Sequence, residues 1–599
     1  MSARGLSGIA AVLAAILFVT FAPDAHAQAG SIDELAGLWK SQRWFGPQTR
    51  GPLVIRRTGS SYTADVMGRT IPVLVENGEL SFRLTNSDAK FRGKLRTGGE
   101  IFGFWFPSST PTGLARVTPV ALRAVQPNVW SGDINPPDDT FTFYILARKR
   151  PDGSMGVFLR NPDRDVGALW AVDRIARDGN AVRLVAKRRN EESDVATGTY
   201  NPEDSVLTIN FPQRGGMYEF RRETGDSDFY PRGRNAARYA YPGAPLARDD
   251  GWTTSTLDQV DIDRAAIEKM VQRIIDTPME SVHNQQIDGI VIARHGKLVL
   301  EEYFHGQHRD KLHDTRSASK SMAATLIGAA MNAGARITLS TPVYQIMNGG
   351  AFPAGLDPRK RQMTVEHLLS MSSGFYCDDS DEKAPGREDT MWQQDTQPNF
   401  YRYALQVPMA FQPGEKAIYC STNPNLALGV LQQVSDESLL FTFDRLVARP
   451  LRITSYGMGT DPAGNAYGGG GWQFKLRDFM KFGQLMLNGG TWNGKRMLAR
   501  DFVTSASSEH GKIGTRPYGL AWWIYDLPYG NRKLHAFAAL GNGGQNLFVV
   551  PDLDLVVAVY ASNYGDRVLF EIQNELVPKQ ILPAVREAGT GRPAAASAK

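Results

Sequence analysis

A serine and a lysine three positions apart form the first candidate site, in the segment Ser317-Ala318-Ser319-Lys320. An apolar run, Ser321 to Ala330, follows this segment and predicts a helix. On a helix, side chains three positions apart lie on one face, one turn from each other. A lysine amine held beside buried surface can lose its charge and accept the proton of the serine hydroxyl. Ser317 is therefore a candidate nucleophile, with Lys320 as its base.

Two segments downstream could complete this site. Tyr419 precedes a predicted helix near Pro424, and a tyrosine on a loop beside an ammonium group can ionise and move protons. Ser421 follows two positions later, so in an extended segment it points to the same side, towards the lysine or the substrate. The second segment is Leu540 to Gln545, where glycines before a strand let N–H groups approach an oxyanion.

Together these motifs resemble the serine β-lactamase and penicillin-binding-protein-like superfamily, especially its class C-type esterases and 6-aminohexanoate-dimer hydrolases. The resemblance covers roughly residues 250–580 and includes Thr364 to Gly374, Gly468 to Trp472 and Arg477 to Met486. The four-glycine run in the second of these phrases is interpreted as a loop near the cleft, because no Gly-Lys-Ser/Thr follows it.

The resemblance implies a role for each motif. Ser317 is expected to be the acylated nucleophile, with Lys320 and Tyr419 sharing the general acid and base work. The backbone N–H groups of Ser317 and Gln545 are expected to form the oxyanion hole. We find no Gly-x-Ser-x-Gly elbow in the sequence, which argues against an α/β-hydrolase.

Two positions depart from the pattern of that superfamily. Ser421 replaces the usual asparagine of the second motif, as in the dimer-hydrolase branch. Asn542 stands where the third motif usually begins with Lys or His, and it is assigned to the substrate and oxyanion site together with Gly544 and Gln545. Because Asn542 offers no cation to a β-lactam carboxylate, esters or small amides are favoured as substrates.

The predicted function is that of an exported serine hydrolase that cleaves small ester or amide bonds through an acyl-enzyme on Ser317. Two alternatives stay open. One is a penicillin-binding or cell-envelope ligand-binding and sensing protein with little turnover, and the other is a D-amino-acid peptidase acting on peptidoglycan. No cofactor and no metal are expected, because His305, His308 and His313 lack suitably spaced carboxylate or cysteine partners and are interpreted as surface or structural residues.

Length and composition indicate the number of domains and the kinds of partner to expect. A chain of 599 residues predicts two or three domains, and 42% hydrophobic with 22% charged residues is typical of a soluble globular protein. The net charge of +5 is spread along the sequence, so no nucleic-acid partner is predicted. The expected partner is a small ester or amide substrate, and the oligomeric state is left open.

The N-terminus has the pattern of a secretory signal peptide over residues 1–27. Arg4 precedes an apolar run from Leu6 to Ala22, and Ala25-His26-Ala27 supplies small residues for cleavage before Gln28. The alternative is an uncleaved anchor, but the run is short and ends in Pro23-Asp24. The mature protein is thus expected to be periplasmic or secreted, without membrane association. An oxidising compartment leaves two interpretations for Cys377 and Cys420, a disulfide or two separate buried thiols.

The pattern divides the mature chain into four parts. Residues 28–222 alternate in short apolar runs between turns, which predicts an all-β region, in one unit or two related units that open at Gly37-Leu38-Trp39 and Asn128-Val129-Trp130. Its tryptophans are interpreted as core residues: Trp39, Trp44, Trp105 and Trp130. Residues 223–251 are read as a linker that lies against both halves, and residues 587–599 as a disordered tail.

Residues 252–586 are predicted to form an α+β catalytic domain. A helix is expected over about 261–275, and hairpins over 287–304 and 547–559. Helical and irregular segments lie between the two hairpins. The simplest arrangement is one antiparallel sheet built from both ends of the domain, with helices packed on it.

Overall fold

The structure is a computed structural model that describes residues 31–46, 48–108, 116–164, 166–189 and 191–587. The predicted signal peptide and residues 588–599 of the predicted tail lie outside the described residues. Among the helices of the described part, none has the length and apolar character that crossing a membrane requires.

Strands dominate the N-terminal region, which confirms the predicted all-β architecture. One short helix, α1 (Val166–Trp170), interrupts them. The strands are β1 (Gly37–Gly46), β2 (Gly51–Thr58), β3 (Ser61–Val66), β4 (Arg69–Glu76), β5 (Glu79–Arg83), β6 (Lys90–Leu95), β7 (Ile101–Phe106), β8 (Arg116–Gln126), β9 (Val129–Ile134), β10 (Asp139–Lys149), β11 (Met155–Arg160), β12 (Val172–Asp178), β13 (Ala181–Arg188), β14 (Glu191–Asn201), β15 (Val206–Phe211) and β16 (Gly216–Arg222).

These strands form two β-barrels, one inserted into the other in sequence. In the first barrel, β2 to β9 pair in order and the ring closes because β9 contacts both β2 and β8. The second barrel consists of β1 and β10 to β16. The sequence left one unit or two related units open, and the strands form two units with other boundaries than those of the sequence repeat. β1, which contains Trp39, belongs to the second barrel, and Trp130 lies on the last strand of the first.

Period-two burial explains each barrel core. Along β15, every second residue is buried, and Leu207, Ile209 and Phe211 face the core of the second barrel. Trp39, Trp105 and Trp130 are buried as predicted. Trp44 is 52% exposed, so its assignment to the core was wrong. Trp44 is five positions after the buried Trp39 on β1, so period-two alternation places it on the opposite face.

The remaining residues form a sheet with helices. The helices are α2 (Arg264–Ile275), α3 (Ser319–Asn332), α4 (Val343–Met347), α5 (Val365–Leu369), α6 (Glu388–Gln393), α7 (Phe400–Gln406), α8 (Thr422–Gln433), α9 (Leu439–Phe443), α10 (Leu476–Leu487) and α11 (Arg500–Ala506). The strands are β17 (Thr253–Thr254), β18 (Ile287–Arg294), β19 (Lys297–Tyr303), β20 (His313–Asp314), β21 (Tyr456–Gly459), β22 (Gln473–Phe474), β23 (Thr491–Trp492), β24 (Lys495–Arg496), β25 (Gly511–Ile513), β26 (Arg516–Tyr518), β27 (Trp523–Tyr529), β28 (Arg532–Gly541), β29 (Gln545–Val550) and β30 (Leu555–Ala561).

The main sheet joins both ends of this part of the chain. Its order is β17-β19-β18-β30-β29-β28-β27-β26-β25, so the two predicted hairpins lie side by side as β18–β19 and β29–β30. His295 and Gly296 both have positive φ angles, the geometry of a tight two-residue hairpin turn. Every residue of β18 is buried because the sheet is covered on both faces. Val291 packs with α3 and α10 on one face, and Ile292 packs with α2 on the other.

The predicted linker, residues 223–251, packs against both halves of the molecule. Phe229 is buried and contacts Tyr144 and Phe158 of the second barrel, with ring centroids 5.6 and 5.4 Å apart. On the other side, the Tyr239 hydroxyl donates to Glu302 at 2.6 Å. The segment therefore contacts both the second barrel and β19.

Candidate active site

Ser317 and Lys320 lie where a short turn leads into a buried helix. Ser317 belongs to the 3-10 turn Arg316–Ala318, and Lys320 is the second residue of α3. The Lys320 Nζ atom donates to Ser317 Oγ at 3.0 Å and to the Gly469 carbonyl oxygen at 2.5 Å. Lys320 is 1% exposed, whereas Ser317 is half-buried. The Ser317 residue is thus partly accessible from solvent, whereas the Lys320 side chain lies in the protein interior.

Tyr419 completes the group that the sequence proposed. Its ring centroid lies 4.9 Å from Lys320 Nζ, and its ring stacks on Trp523 with centroids 5.8 Å apart and an interplanar angle of 19°. The ring is half-buried, and the Tyr419 carbonyl accepts the backbone N–H of Asp379 at 3.0 Å. The fold therefore brings Ser317, Lys320 and Tyr419 together from distant parts of the sequence. Their catalytic roles stay predictions.

The environment of Lys320 differs from the expectation of a neutral amine. Burial alone would lower the pKa of Lys320, but attraction to Tyr419, Glu388 and Asp379 raises it above the ordinary value. Near neutral pH the side chain is therefore an ammonium group. It can donate to Ser317 Oγ and stabilise negative charge nearby, but it has no lone pair with which to take a proton.

Two carboxylates that the sequence did not single out surround this lysine. Burial raises the pKa of Glu388, against the opposing effect of Lys320. The Tyr467 hydroxyl donates to Glu388 Oε1 at 2.5 Å. Asp379 accepts the Glu388 backbone N–H at 3.0 Å, so the two acids belong to one network. The negative charges of both acids favour the charged state of Lys320.

Ser421 has a different contact from the one predicted. Its backbone N–H and its hydroxyl both donate to Asp379 Oδ2, at 2.9 and 2.6 Å. The side chain is completely buried. Ser421 thus orients Asp379 and helps to fix the segment that carries Tyr419, and its hydroxyl is engaged with Asp379 rather than with Lys320 Nζ.

A disulfide joins Cys377 to Cys420, with their Cα atoms 5.6 Å apart. This decides between the two interpretations that the sequence left open. The bridge also explains why Asp379 meets Ser421, because each lies one or two positions beyond a bonded cysteine. Sequence reasoning that committed to the bridge would have found Asp379.

The glycine-rich third motif lies beside the nucleophile turn. A Cβ atom added to Gly541 would lie 2.3 Å from the Thr315 carbonyl oxygen, so only glycine permits this approach. Asn542 is exposed at the turn, and its Oδ1 accepts the N–H of Gly565 at 2.8 Å. The end of β28 is therefore close to Ser317, as the motif predicts.

The Cβ position of Gly544 and the side chain of Gln545 both face the protein interior. A Cβ atom on Gly544 would lie 2.9 Å from side-chain atoms of Ala561 and Ile572, so this glycine packs inward. The Gln545 side chain is fully buried and donates to the Ala561 carbonyl at 2.6 Å. The role of the Gln545 backbone N–H group in an oxyanion hole stays a prediction.

The three histidines near the nucleophile are held by other protein groups. His305 is buried and its Nδ1 lies 3.3 Å from the Asp228 carbonyl oxygen. His308 accepts the N–H of Asp310, and His313 Nε2 lies 3.3 Å from Asp288 Oδ2. In the described parts of the chain, no group of three or more His, Cys, Asp or Glu side chains is arranged to hold a metal ion.

The antiparallel sheet between two helical layers, with a Ser-Lys pair at the start of a buried helix and a tyrosine beside the lysine, defines a serine hydrolase. The Beta-lactamase family model matches residues 269–577, and the chain belongs to this family. The match lies inside the region in which the sequence predicted the catalytic domain. The family resemblance drawn from the motifs is thereby confirmed, as is the assignment as an enzyme.

Individual proteins resemble the same part of the chain. A 6-aminohexanoate-dimer hydrolase from Paenarthrobacter ureafaciens is 25% identical over 300 residues, which are 46% of this chain and 72% of that protein. A putative 6-aminohexanoate-dimer hydrolase from Bacillus anthracis has a TM-score of 0.41 and 19% identity over 49% of this chain and 78% of its own. A penicillin-binding protein homologue from Caulobacter crescentus has a TM-score of 0.41 and 16% identity, covering 53% of this chain and 96% of its own.

Proposed function

We propose that the protein is an exported serine hydrolase that cleaves small ester or amide bonds through an acyl-enzyme on Ser317. One observation carries the proposal: the Lys320 Nζ atom lies 3.0 Å from Ser317 Oγ and 4.9 Å from the centre of the Tyr419 ring. An unassisted serine hydroxyl is a weak nucleophile, and a neighbouring base is what activates it.

Tyr419 is the proposed acceptor of the Ser317 hydroxyl proton, because Lys320 is already an ammonium group. As the Ser317 oxygen bonds to the substrate carbonyl carbon, its proton moves to the phenolate oxygen of Tyr419 and the carbonyl electron pair moves onto the carbonyl oxygen. The tetrahedral intermediate then expels the leaving group, which takes the proton from Tyr419. Lys320 stays protonated and stabilises both the phenolate and the Ser317 oxygen.

Water completes the cycle by the reverse use of the same groups. The Tyr419 phenolate takes a proton from water as the water oxygen bonds to the acyl carbon. The second tetrahedral intermediate then breaks its bond to Ser317 Oγ, and this oxygen takes the proton back from Tyr419. The products are a carboxylic acid and the alcohol or amine released in the first half-reaction. No other proton carrier is required for this balance.

Asn542 supports linear esters or amides rather than β-lactams as substrates. Its side chain is neutral and already accepts the Gly565 N–H at 2.8 Å, so it offers no cation to a β-lactam carboxylate. The relative from Paenarthrobacter ureafaciens, a hydrolase named for the 6-aminohexanoate dimer, is consistent with this class. The predicted signal peptide and the Cys377–Cys420 disulfide both support export, since disulfides persist in oxidising compartments.

A fluorophosphonate probe tests the assignment of the nucleophile. We expect the wild-type protein to be labelled on the peptide that contains Ser317, and Ser317→Ala to remain unlabelled. Ser321→Ala is the matched control, because Ser321 lies on the same helix and its hydroxyl donates to the Ala521 carbonyl. Equal labelling of wild type and Ser317→Ala would refute the proposal. Fractionation of cells, with N-terminal sequencing of the mature protein, tests export separately.

Hydrolysis of short-chain p-nitrophenyl esters, with a chromogenic cephalosporin in parallel, tests the substrate class. We expect steady turnover of the esters and little turnover of the cephalosporin. A single burst of product per protein molecule, followed by no further release, would instead indicate a ligand-binding protein that acylates without turnover. Rapid cephalosporin hydrolysis would overturn the argument from Asn542.

A further inference from the structure

The first barrel is connected to the nucleophile by an unbroken series of strands. β8 of that barrel pairs with β21, with Arg116 opposite Gly459. β21 pairs with β22, and β22 pairs with β20, in which Asp314 lies opposite Gln473. Asp314 is three positions before Ser317. The sheet of the N-terminal region therefore extends to the edge of the catalytic site.

Arg116, the first residue of β8, crosses this junction with two hydrogen bonds. Its Nε donates to the Gly471 carbonyl at 2.9 Å, and its Nη2 donates to Asp314 Oδ2 at 2.5 Å. Both side chains of the ion pair are only 12% exposed. Because the guanidinium group is planar, these two bonds fix the distance and angle between the segments that they join.

Those two segments hold Ser317 and Lys320. Asp314 accepts the backbone N–H of Arg316 at 2.8 Å through its second carboxylate oxygen, and Gly471 donates to the Arg316 carbonyl at 3.3 Å. The same glycine loop supplies the Gly469 carbonyl that accepts Lys320 Nζ. Arg316 has a positive φ of 50°, an unfavourable conformation for a residue with a side chain. The surrounding contacts must therefore hold it in place.

We propose that Arg116 is a positioning residue of the catalytic site, so that the first barrel is part of the catalytic apparatus of this enzyme. Arg116 orients Asp314 and the loop 469–471, and these in turn set the turn that carries Ser317 and the acceptor of Lys320. The inference rests on the proposed function, since it concerns the same nucleophile.

Electrostatics favours the same arrangement. Burial would raise the pKa of Asp314, but Arg316 and Arg116 hold it well below its usual range. The carboxylate is therefore ionised throughout the physiological range. Without Arg116, the mostly buried carboxylate would lose a charged donor and the Gly471 carbonyl would lose an N–H partner, which favours local rearrangement. Misplacement of a reacting group by about 1 Å can reduce a rate on the order of a hundredfold.

The test compares two arginines of the first barrel that both form ion pairs with the catalytic domain. Arg96 pairs with Asp444, which also binds Arg449. In the full-length protein, we expect Arg116→Ala to slow fluorophosphonate labelling by about ten- to a hundredfold. With a p-nitrophenyl ester, kcat should fall by a similar factor while KM changes little. Arg96→Ala should label at close to the wild-type rate.

Further variants separate positioning from folding. Arg116→Lys keeps the charge and should recover part of the lost rate. Because Arg116 acts through Asp314, the loss in a double variant with Asp314→Asn should be smaller than the product of the two single losses. If Arg116→Ala does not fold, Arg116→Gln takes its place.

Two results would overturn the inference: a wild-type labelling rate in a folded Arg116→Ala or Arg116→Gln variant, or an equal loss in Arg96→Ala. Absence of labelling at Ser317 in the wild-type protein would instead overturn the proposed function. The wild-type experiment thus distinguishes the two failures.

Discussion

Removal of the Cys377–Cys420 bridge is expected to destabilise the catalytic domain more than it slows the reaction. The bridge ties the segment that carries Tyr419 to the segment that carries Asp379. Three hydrogen bonds connect the same two segments: one from the Asp379 N–H to the Tyr419 carbonyl, and two from Ser421 to the Asp379 carboxylate. These bonds remain when the bridge is cut, so Tyr419 keeps its place in the folded state.

The expected magnitude follows from the sequence separation of 43 residues between the two cysteines. In the chain-entropy description, a cross-link that closes a loop of this length stabilises the folded state by about 4 kcal/mol at 25 °C. The effect arises in the unfolded chain, which loses conformational freedom when the loop is closed. The folded site is therefore expected to change little. Initial rates measured well below the unfolding transition should change by less than about tenfold, which corresponds to about 1.4 kcal/mol in the activation free energy.

Urea unfolding followed by intrinsic fluorescence can measure this loss in Cys377→Ser, Cys420→Ser and the double variant. Because each single substitution already opens the loop, all three should be destabilised to a similar extent, and a reducing agent should destabilise wild type alone. Wild-type stability in the double variant would refute the reasoning. Additive losses from the two single variants would show that packing around each sulfur, rather than the cross-link, provides the stability.

The remaining predictions concern the charged groups of the site and one buried histidine. Tyr419→Phe and Lys320→Ala should each reduce kcat by on the order of a hundredfold or more, and near-native turnover in a folded variant would contradict their assigned roles. Glu388→Gln removes a negative charge that raises the pKa of Lys320, so the alkaline limb of the pH–rate profile should move to lower pH. An unmoved limb would show that Glu388 does not act through the lysine. Burial lowers the pKa of His305 to about 3, so below about pH 6.5 the folded state binds fewer protons than the unfolded state. The contribution of the neutral histidine to the free energy of unfolding is therefore present above that pH and is lost on acidification. Between pH 6.5 and 5 this loss amounts to about 2 kcal/mol, and urea titrations should find it in wild type but not in His305→Gln.

The contact between Ser317 and Lys320 could be predicted from the sequence because it is local. Ser317 and Lys320 are one helical turn apart, so their contact depends only on the helix. The charge state of the lysine could not be derived in the same way. It depends on Glu388 and Asp379, whose approach follows from the disulfide and from α6, and neither acid lies in a recognisable motif. The inward packing of Gly544 against Ala561 was not predictable either, because it depends on how the sheet places the strand that contains Ala561.

The fold was predictable where hydrophobic patterns are continuous. The two hairpins and α2 formed as expected, since alternating and helical periodicities specify them locally. The nesting of the barrels was not predictable, because β1 and β10 pair across the inserted first barrel and both strands have ordinary alternation. Trp44 was assigned wrongly because it was grouped with Trp39, although an odd separation within one strand places the two side chains on opposite faces.

The pairing of β18 with β30 has a consequence for synthesis of the chain. Arg294, at the end of β18, bonds to a carbonyl 259 positions later, just before β30. At about 5–20 residues per second, a ribosome needs roughly 13–50 s to supply that partner. During this interval β18, which is entirely buried in the finished sheet, lacks its neighbour β30 along one edge. Until β30 is available, that edge of β18 has unpaired backbone groups with which another strand could pair.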